Sequence, residues 1–501
     1  MLEFTDQTFH YPERRHSTTF EGIIETLEWV IIAMALAFIF RAFVMEAFRI
    51  PTGSMAETLR GAHLHLRCTR CGYSYDVGGD YLTEPRPCCP SCNYFLPTGT
   101  VKMIPISNGD RILVLKCIYQ FVEPNRWDVV VFKNPVNPSE NYIKRMIAKP
   151  GETVEIIDGD IYIDGHIARK PPNVQQELWM QIFDNDYQPS GEMVKLSESK
   201  TVRQSHDNRV WEQPFKNDEG SGWELDAENS SIFALDSKPE DYNIIYYDAS
   251  ADKDFKASYA YNNSNGYFRQ PICSDLMVRF HVNTAKMEGL VGATLKKYET
   301  IYHAHINFTG ELIIEKVVNG LSFELKRQKM ESVRTNKAIP FKFANVDRQL
   351  ILEFGNQKII YDLGSTPDDA GDMNKGYLPE VRIFGAGKMA LSHIGIYRDI
   401  HYISDGTLRA GQGKPFTLND DEFFVCGDNS PYSQDGRLWP IEGVGNNSVK
   451  YRMGTVPRDY LVGKAVFVYW SDAFKPFGTM MPIIPNIDQV GFIQGGSDGE
   501  I

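Results

Sequence analysis

The chain has 501 residues, of which 42% are hydrophobic and 23% are charged, a composition typical of folded globular domains. A net charge of −13 and the lack of a long Lys/Arg run argue against a general nucleic-acid binder, because phosphate binding depends on clustered cations. The length accommodates about three domains of roughly 150 residues.

The first predicted element is a membrane helix. Residues 29–40 are uninterrupted apolar sequence, and the segment extended to 23–45 would reach about 35 Å as a helix, enough to cross a bilayer. Arg14 and Arg15 favour a cytoplasmic N-terminus. The alternatives are a buried core helix and a cleaved signal peptide, but neither a basic start nor a clear small-residue cleavage site is present.

Two C-x-x-C pairs follow, separated by residues 72–88, and this spacing predicts a zinc ribbon with four thiolate ligands: Cys68, Cys71, Cys89 and Cys92. The alternative is two disulfides, with Cys88 left over. His63 and His65 lie nearby but are not assigned as ligands, because most such histidines are polar surface residues.

The next segments predict β-structure. Residues 110–121 and 126–135 have the composition of strands ended by Pro and Asn. Residues 152–165 predict a hairpin, because two alternating runs meet at Asp158-Gly159, a favoured two-residue turn.

Residues 217–404 contain many short strand candidates and no helical period, which predicts a two-sheet sandwich. The clearest candidates are 275–283, 311–318, 348–363 with a Gly355-Asn356 turn, and 393–402. Strand-like sequence returns at 421–429 and 462–470. We therefore predict a mainly β chain in which one β domain is interrupted by another.

A nucleophile candidate comes directly after the apolar helix. Pro51 and Gly53 predict a turn that presents the Ser54 hydroxyl and nearby backbone N–H groups. A serine needs a base to act as a nucleophile, and no histidine lies in a recognisable partner motif. A lysine kept neutral by burial is the other option, and Lys144 lies on a strand-like run, although a lone strand lysine is more commonly a surface charge.

Five motifs occur in order: FRIPTGSM, NGDRILV, RWDVVVFKNP, NYIKRMIAKPGE and CGDNSPYSQDGR. Together they resemble the successive boxes of the type I signal peptidases, the Ser/Lys proteases of the bacterial leader peptidase family. The resemblance covers roughly residues 20–165 and 415–472. It leaves the cysteine pairs and the sandwich outside.

The resemblance implies a role for each matching residue. Ser54 matches the nucleophile and Lys144 the general base, Thr52 would help to form the oxyanion hole, and Ser433 would orient the lysine. Asp435 and Arg437 match a supporting ion pair, and Asp428 and Arg145 match scaffold residues beside it. Three positions depart from the usual pattern, namely Ser430, Gly436 and Ala148.

The resemblance further implies a hydrolase that needs no cofactor for catalysis and removes signal peptides from exported preproteins, after small residues at −3 and −1. It implies a single-pass protein of the inner or plasma membrane, in contact with lipid, with a cytoplasmic N-terminus and an extracytoplasmic catalytic domain. The alternative is a membrane-anchored binding module on a degenerate peptidase scaffold. A zinc-ribbon nucleic-acid binder is disfavoured by the negative charge.

The predicted division of the chain follows from these assignments. The catalytic domain is split into three segments, 46–67, 101–170 and 405–480, and the other units are a cytoplasmic segment 1–22, the anchor 23–45, the zinc ribbon 68–100, a linker 171–216, the sandwich 217–404 and a tail 481–501. The sandwich weakly resembles concanavalin-like or laminin-G-like domains, so it is expected either to bind carbohydrate or a protein, or to be a structural insert. Residues 248–254 are rich in Asp and would suit either calcium or a turn.

Overall fold

A computed structural model gives the structure of the protein. It describes residues 19–79, 87–97, 99–189, 211–226, 229–250, 254–262, 270–284, 286, 288–330, 337–367, 376–444, 450–471 and 486–496. Arg14, Arg15 and most of the predicted cytoplasmic segment lie outside these ranges, as does part of the candidate calcium stretch.

The predicted apolar helix is confirmed. Helix α1 spans Thr19–Ile39 and continues as a π-helical turn over Phe40–Val44. Its apolar side chains are exposed, and the stretch Gly22–Val44 is long and apolar enough to cross a membrane. Strand β1 (Met45–Arg49) follows without a linker.

The described residues contain 31 strands. After β1 come β2 (His63–Arg67), β3 (Ser74–Gly78), β4 (Arg111–Leu115), β5 (Val129–Lys133), β6 (Asn141–Ala148), β7 (Thr153–Ile157), β8 (Asp160–Ile163), β9 (His166–Ile167), helix α2 (Pro172–Leu178), β10 (Met180–Asp184), β11 (Phe215–Asn217), β12 (Glu224–Leu225), β13 (Phe233–Asp236), β14 (Asn243–Tyr247), β15 (Leu276–Asn283) and β16 (Leu290–Lys297). The remainder are β17 (Thr300–Asn307), β18 (Glu311–Val318), β19 (Leu321–Lys329), β20 (Ile339–Val346), β21 (Gln349–Phe354), β22 (Gln357–Asp362), β23 (Glu380–Ala386), β24 (Lys388–Arg398), β25 (Phe416–Thr417), β26 (Glu422–Cys426), β27 (Gly443–Val444), β28 (Lys450–Tyr451), β29 (Val456–Pro457), β30 (Leu461–Trp470) and β31 (Gly491–Phe492). Short 3₁₀ turns occupy Thr100–Met103, Ile118–Gln120, Ser430–Tyr432, Arg458–Tyr460 and Ile487–Gln489.

A central sheet combines strands from both ends of the chain. Its order is β1-β4-β30-β5-β6-β26-β29, and β31 pairs with β30. Both faces of β5 are buried, which explains its continuous apolar run: Val129 and Val131 pack into one core, and Val130 and Phe132 into another. Because β31 falls within the predicted tail 481–501, some of that segment belongs to this sheet.

Both predicted hairpins are confirmed. Strands β7 and β8 meet at Asp158 and Gly159, with φ of 49° and 89°, the left-handed backbone that a two-residue I′ turn requires. Strands β21 and β22 flank Gly355-Asn356, where Gly355 has a φ of 62°. Strands β25, β7, β8 and β9 form a small sheet beside the central one.

The inserted region forms two antiparallel sheets around one core. The first has the order β12-β13-β24-β15-β20-β21-β22, with β10 added at β24, and the second has the order β11-β14-β23-β16-β17-β18-β19. One hydrophobic cluster draws residues from both sheets, including Val278 and Phe343 of the first and Ile306 and Ile383 of the second. The sandwich architecture thus follows from two apolar inner faces.

The range assigned to a linker, 171–216, contains regular structure. Helix α2 lies there, and β10 pairs with β24, so this stretch contributes an edge to the first sandwich sheet. Its apolar runs are short and interrupted by polar residues, so the sequence shows no clear strand alternation.

Candidate active site

The nucleophile candidate lies on a tight turn that is held by the core. Met55 and Leu59 are fully buried, and the turn is closed by two backbone hydrogen bonds, from Ala56 N to Gly53 O (3.0 Å) and from Leu59 N to Met55 O (2.8 Å). Ser54 is only partly covered. The local sequence therefore presents one hydroxyl from a rigid support.

Lys144 meets Ser54 across this turn. It lies on β6 opposite Val130, and its Nζ is 2.7 Å from Ser54 Oγ and 3.0 Å from the Ile143 carbonyl oxygen. These two residues are 90 positions apart in the sequence. The structure brings the predicted pair within hydrogen-bond distance.

Burial changes the ionisation of Lys144. The side chain is 3% exposed, and loss of solvation lowers its pKa from 10.5 to about 8, although the carboxylates of Asp435 and Asp428 act in the opposite direction. Burial disfavours the charged form of an amine. A large fraction of Lys144 is consequently neutral, and able to accept a proton, in mildly alkaline solution.

Two buried ion pairs lie behind the lysine. Arg145 donates to both carboxylate oxygens of Asp428, at 2.9 and 2.7 Å, and neither side chain is exposed. Arg437 binds Asp435 in the same bidentate way, at 2.9 and 2.7 Å. Burial opposes the charge on Asp435, but Arg437 outweighs it and holds the pKa of that carboxyl below its usual range.

Ser433 and Thr52 are close to the pair but have fewer contacts. Within the described residues, the buried Ser433 hydroxyl has no hydrogen bond of ordinary geometry, to Lys144 or to another group, yet it helps to lower the pKa of Asp435. A Cβ on Gly427 would lie 2.2 Å from Ser433 Oγ, so glycine is needed there for the close approach. Thr52 is exposed beside Ser54.

Two residues to which the sequence analysis gave no role join this site. Asn429 donates from Nδ2 to the Gly53 carbonyl (2.8 Å) and from its backbone N–H to the Ser54 carbonyl (3.1 Å). Ser430, one of the departures from the motif pattern, accepts from Arg437 Nη1 (2.6 Å) and from Ile403 N (2.7 Å). Asn429 lies inside the CGDNSPYSQDGR motif, so its position was a usable signal.

The four clustered cysteines form a compact group. All are unbridged, and their sulfur atoms lie within 4.8 Å of one another, with 3.6 Å between Cys68 and Cys92 and 3.7 Å between Cys71 and Cys89. The four cysteines are not joined as two disulfides in the structure. Cys88 is a separate buried thiol near the Cys89 carbonyl.

The two nearby histidines have other partners. His63 Nδ1 is 2.8 Å from the Gly61 carbonyl oxygen, and His65 Nδ1 is 2.8 Å from Asp76. Neither belongs to the cysteine group.

Two segments of the chain are similar to a known protein family. The family profile described as "Signal peptidase, peptidase S26" matches residues 98–216 and 396–470. Over these two segments the chain is similar to the signal peptidases of that family. The two matched segments contain Lys144 and the 426–437 motif, whereas Ser54 lies before them.

Curated relatives carry the same family description. The chain is 32% identical over 139 residues to the signal peptidase I of Rickettsia massiliae, and 33% identical over the same length to that of Rickettsia conorii. In each case the match covers 27% of this chain and 42% of the relative. The chain thus spans about two fifths of the length of these signal peptidases.

Solved structures are similar to this chain only distantly. A carbohydrate-binding module of Bacillus subtilis is 12% identical, with 36% of this chain and 94% of that module covered, at a TM-score of 0.24. A sheep galectin is 9% identical, with 25% of this chain and 91% of the galectin covered, at a TM-score of 0.19.

Proposed function

We propose that this chain belongs to the signal peptidase family and is a membrane-bound serine endopeptidase that uses Ser54 as nucleophile and Lys144 as general base. The observation that carries the proposal is the 2.7 Å approach of Lys144 Nζ to Ser54 Oγ, made by a lysine whose burial lowers its pKa. Serine needs such a base near neutral pH, and a desolvated amine supplies it.

The proposed reaction begins with proton transfer from Ser54 Oγ to Lys144 Nζ as the oxygen bonds to the scissile carbonyl carbon. Lys144 then returns the proton to the leaving amine as the C–N bond breaks, which leaves an acyl group on Ser54. Water releases the acyl group by the reverse sequence, with Lys144 again taking the proton. The Ser54 backbone N–H and the Thr52 hydroxyl are the proposed oxyanion donors.

The proposed role of the two ion pairs and Ser433 is to hold Lys144 in position, and none of them takes part in the reaction. Each carboxylate is paired with an arginine, Asp435 with Arg437 and Asp428 with Arg145. Neither carboxylate is therefore left unpaired to hold Lys144 in its charged form. The proposed role of Ser433 is to contact the lysine once substrate is bound, since its hydroxyl is buried beside the site.

The proposed substrates are exported preproteins cut after small residues at −3 and −1, as the family resemblance implies. Only β1 and a few residues separate the end of α1 from Ser54. If α1 spans the membrane with its N-terminus in the cytoplasm, the reacting serine lies within about 35 Å of the bilayer surface. A substrate whose signal helix is still in the lipid can reach it.

The test is cleavage of a purified preprotein by the full-length protein in detergent or lipid, measured as a function of pH. The rate should rise with pH through about 8, since only neutral Lys144 accepts the serine proton. Below that pH the lysine is protonated and activity falls. Absence of cleavage, or a rate that is flat from about pH 6 to about pH 10, would contradict the Ser/Lys mechanism.

We further propose that Cys68, Cys71, Cys89 and Cys92 hold a structural zinc ion. A tetrahedron with Zn–S bonds of about 2.3 Å has S–S edges of about 3.8 Å, close to the two sulfur separations of 3.6 and 3.7 Å. Backbone N–H groups of Arg70 and Ser91 point at Cys68 and Cys89, each at 3.4 Å. With four thiolates the ion would have no open position, so its proposed role is to hold the ribbon together.

The zinc proposal predicts that Cys89→Ser abolishes stoichiometric zinc, measured by metal analysis of the purified protein. Cys88→Ser is the matched control, because Cys88 is adjacent, also buried and outside the cluster. It should retain one zinc per chain. Zinc content that is unchanged in Cys89→Ser would refute the site.

A further inference from the structure

A short piece of the inserted sandwich reaches the nucleophile turn. This bridging segment, residues 254–262, lies between two gaps in the described ranges. Phe255, near its start, is 2% exposed and belongs to the sandwich core. Asn262, at its end, contacts Asn429 in the loop that binds the Gly53 and Ser54 carbonyls.

Asn262 and Asn429 form a reciprocal amide pair. Asn262 Nδ2 donates to Asn429 Oδ1 (2.6 Å), and Asn429 Nδ2 donates to Asn262 Oδ1 (2.8 Å). The same Asn429 Nδ2 donates to the Gly53 carbonyl (2.8 Å). Both side chains are buried, at 4% and 1% exposure, so these polar groups have no ready substitute partner in solvent.

The pairing fixes the direction in which Asn429 faces. If its amide were flipped, its oxygen would face the Gly53 carbonyl oxygen and both partners would be left without a donor. Asn262 accepts one Nδ2 hydrogen while Gly53 accepts the other. An amide satisfied on every side is a rigid support for the backbone that carries Ser54.

Tyr261 and Tyr259 add two contacts to the same region. The Tyr261 ring lies against Gly53 so closely that a Cβ there would be 2.0 Å from the ring, and its hydroxyl donates to the Ala62 carbonyl (3.0 Å). The Tyr259 hydroxyl donates to the Asp428 carbonyl (3.2 Å). The bridging segment thus contacts both the nucleophile turn and the loop after β26.

The other end of the segment is fixed to the sandwich. Arg398, at the end of β24, donates to the Ser258 carbonyl (2.6 Å) and lies 4.8 Å from the centre of the Tyr259 ring. Phe255 packs against Tyr247, with ring centres 5.7 Å apart. The sandwich is therefore mechanically connected to the turn that presents Ser54.

We propose that the inserted sandwich completes the active site through its bridging segment, and that Asn262 is a positioning residue for Ser54. The proposal rests on the proposed peptidase function and extends it by assigning a role to the insertion. Asn262 does not touch the reacting atoms. It acts through Asn429, which fixes the Gly53 and Ser54 carbonyls.

The physical basis is the steep dependence of rate on geometry. A displacement of about 1 Å at a reacting group can cost about a hundredfold in rate. Without Asn262, Asn429 Nδ2 keeps only one of its two acceptors and is free to rotate, so the Ser54 turn loses its fixed support. Neither asparagine is hydrogen-bonded to Lys144, whose contacts are Ser54 and the Ile143 carbonyl, so the burial that lowers its pKa is expected to persist.

The test compares wild type, Asn262→Ala, Asn429→Ala and the double variant, as full-length proteins, in preprotein cleavage. Asn262→Ala should lower kcat at least about tenfold, leave KM within about twofold and leave the pH midpoint unchanged. The double variant should be no slower than Asn429→Ala alone, because both changes remove one support. Additive losses, or a normal kcat in Asn262→Ala, would overturn the proposal.

Asn243→Ala is the matched control. Asn243 is also a buried sandwich asparagine with amide hydrogen bonds, to Gly222 N (2.8 Å) and the Asp241 carbonyl (2.8 Å), but it is not in contact with the turn. The Asn243→Ala variant should have a less stable sandwich but an unchanged kcat. An equal loss of kcat in Asn243→Ala would show that Asn262 acts only by holding the sandwich folded.

Hydrogen exchange separates this proposal from the peptidase function itself. The amides of Ala56 and Leu59 report on the turn, and their exchange should become at least about tenfold faster in Asn262→Ala and remain at the wild-type rate in Asn243→Ala. If wild type cuts no preprotein, the peptidase proposal fails while the exchange result still decides whether Asn262 supports the turn. Unchanged exchange in Asn262→Ala refutes the support.

Discussion

Ser54→Ala and Lys144→Met should each reduce preprotein cleavage by at least about a thousandfold. General-base catalysis contributes about 10²–10⁴ in rate, and a serine without its base is a weak nucleophile. Met has a length similar to that of lysine and suits a buried position, so Lys144→Met removes the amine without opening a large cavity. The measurement is kcat for the purified full-length variants at about pH 9, where the wild-type lysine is mostly neutral.

The double variant is the informative control. Residues that act as one unit are not additive, so Ser54→Ala with Lys144→Met should be no slower than Ser54→Ala alone. Thermal unfolding should show that all three variants remain folded. Substantial cleavage by the folded Lys144→Met variant would mean that another group is the base, and it would refute the Ser/Lys mechanism.

Asp428→Asn should destabilise the catalytic domain by about 3–5 kcal/mol. The substitution keeps the shape of the side chain but leaves the Arg145 guanidinium buried without its bidentate carboxylate, and breaking one side of a buried ion pair typically costs this much. Glu177, 3.3 Å from Arg145 and 21% exposed, offers only partial compensation. The measurement is the free energy of unfolding in urea.

Asp421→Asn provides the comparison for this change. Asp421 also pairs with an arginine of the catalytic domain, Arg458, but its side chain is 73% exposed. Exposed ion pairs contribute only about 0–1 kcal/mol. If Asp428→Asn costs no more than Asp421→Asn, the buried pair does not hold the loop after β26 in place.

The local features of this fold were predictable because their signals are local. The turns at Asp158-Gly159 and Gly355-Asn356 contain left-handed backbone at Asp158, Gly159 and Gly355, which few residue types adopt, so a turn at each position follows from the dipeptide itself. The apolar helix 23–45 follows from its length, and the structure places its end within one residue of the prediction. The strand order of the central sheet could not be predicted, since pairings such as β4 with β30 join segments that are distant in the sequence.

The site was only partly predictable, through motif resemblance rather than through spacing. Lys144 by itself resembles any strand lysine, and only the ordered motifs pointed to it. Asn262 gave no signal, because its partner Asn429 is 167 positions away and it lies in a polar stretch that resembles a loop. The edge strand β10 was not predicted for a related reason: nothing in its own sequence indicates that it pairs with β24.

The position of β30 has a consequence for how the protein is made. This strand, residues 461–470, lies between β4 and β5, which are both complete by residue 133. A growing chain therefore emerges with its central sheet split into two halves, and the whole sandwich up to β24 is synthesised before the strand that joins them. Since Asp428 and Asp435 also follow the sandwich in the sequence, the surroundings of Ser54 and Lys144 are completed only after the sandwich has been synthesised. The insertion therefore has time to fold before Ser54 and Lys144 are fully surrounded.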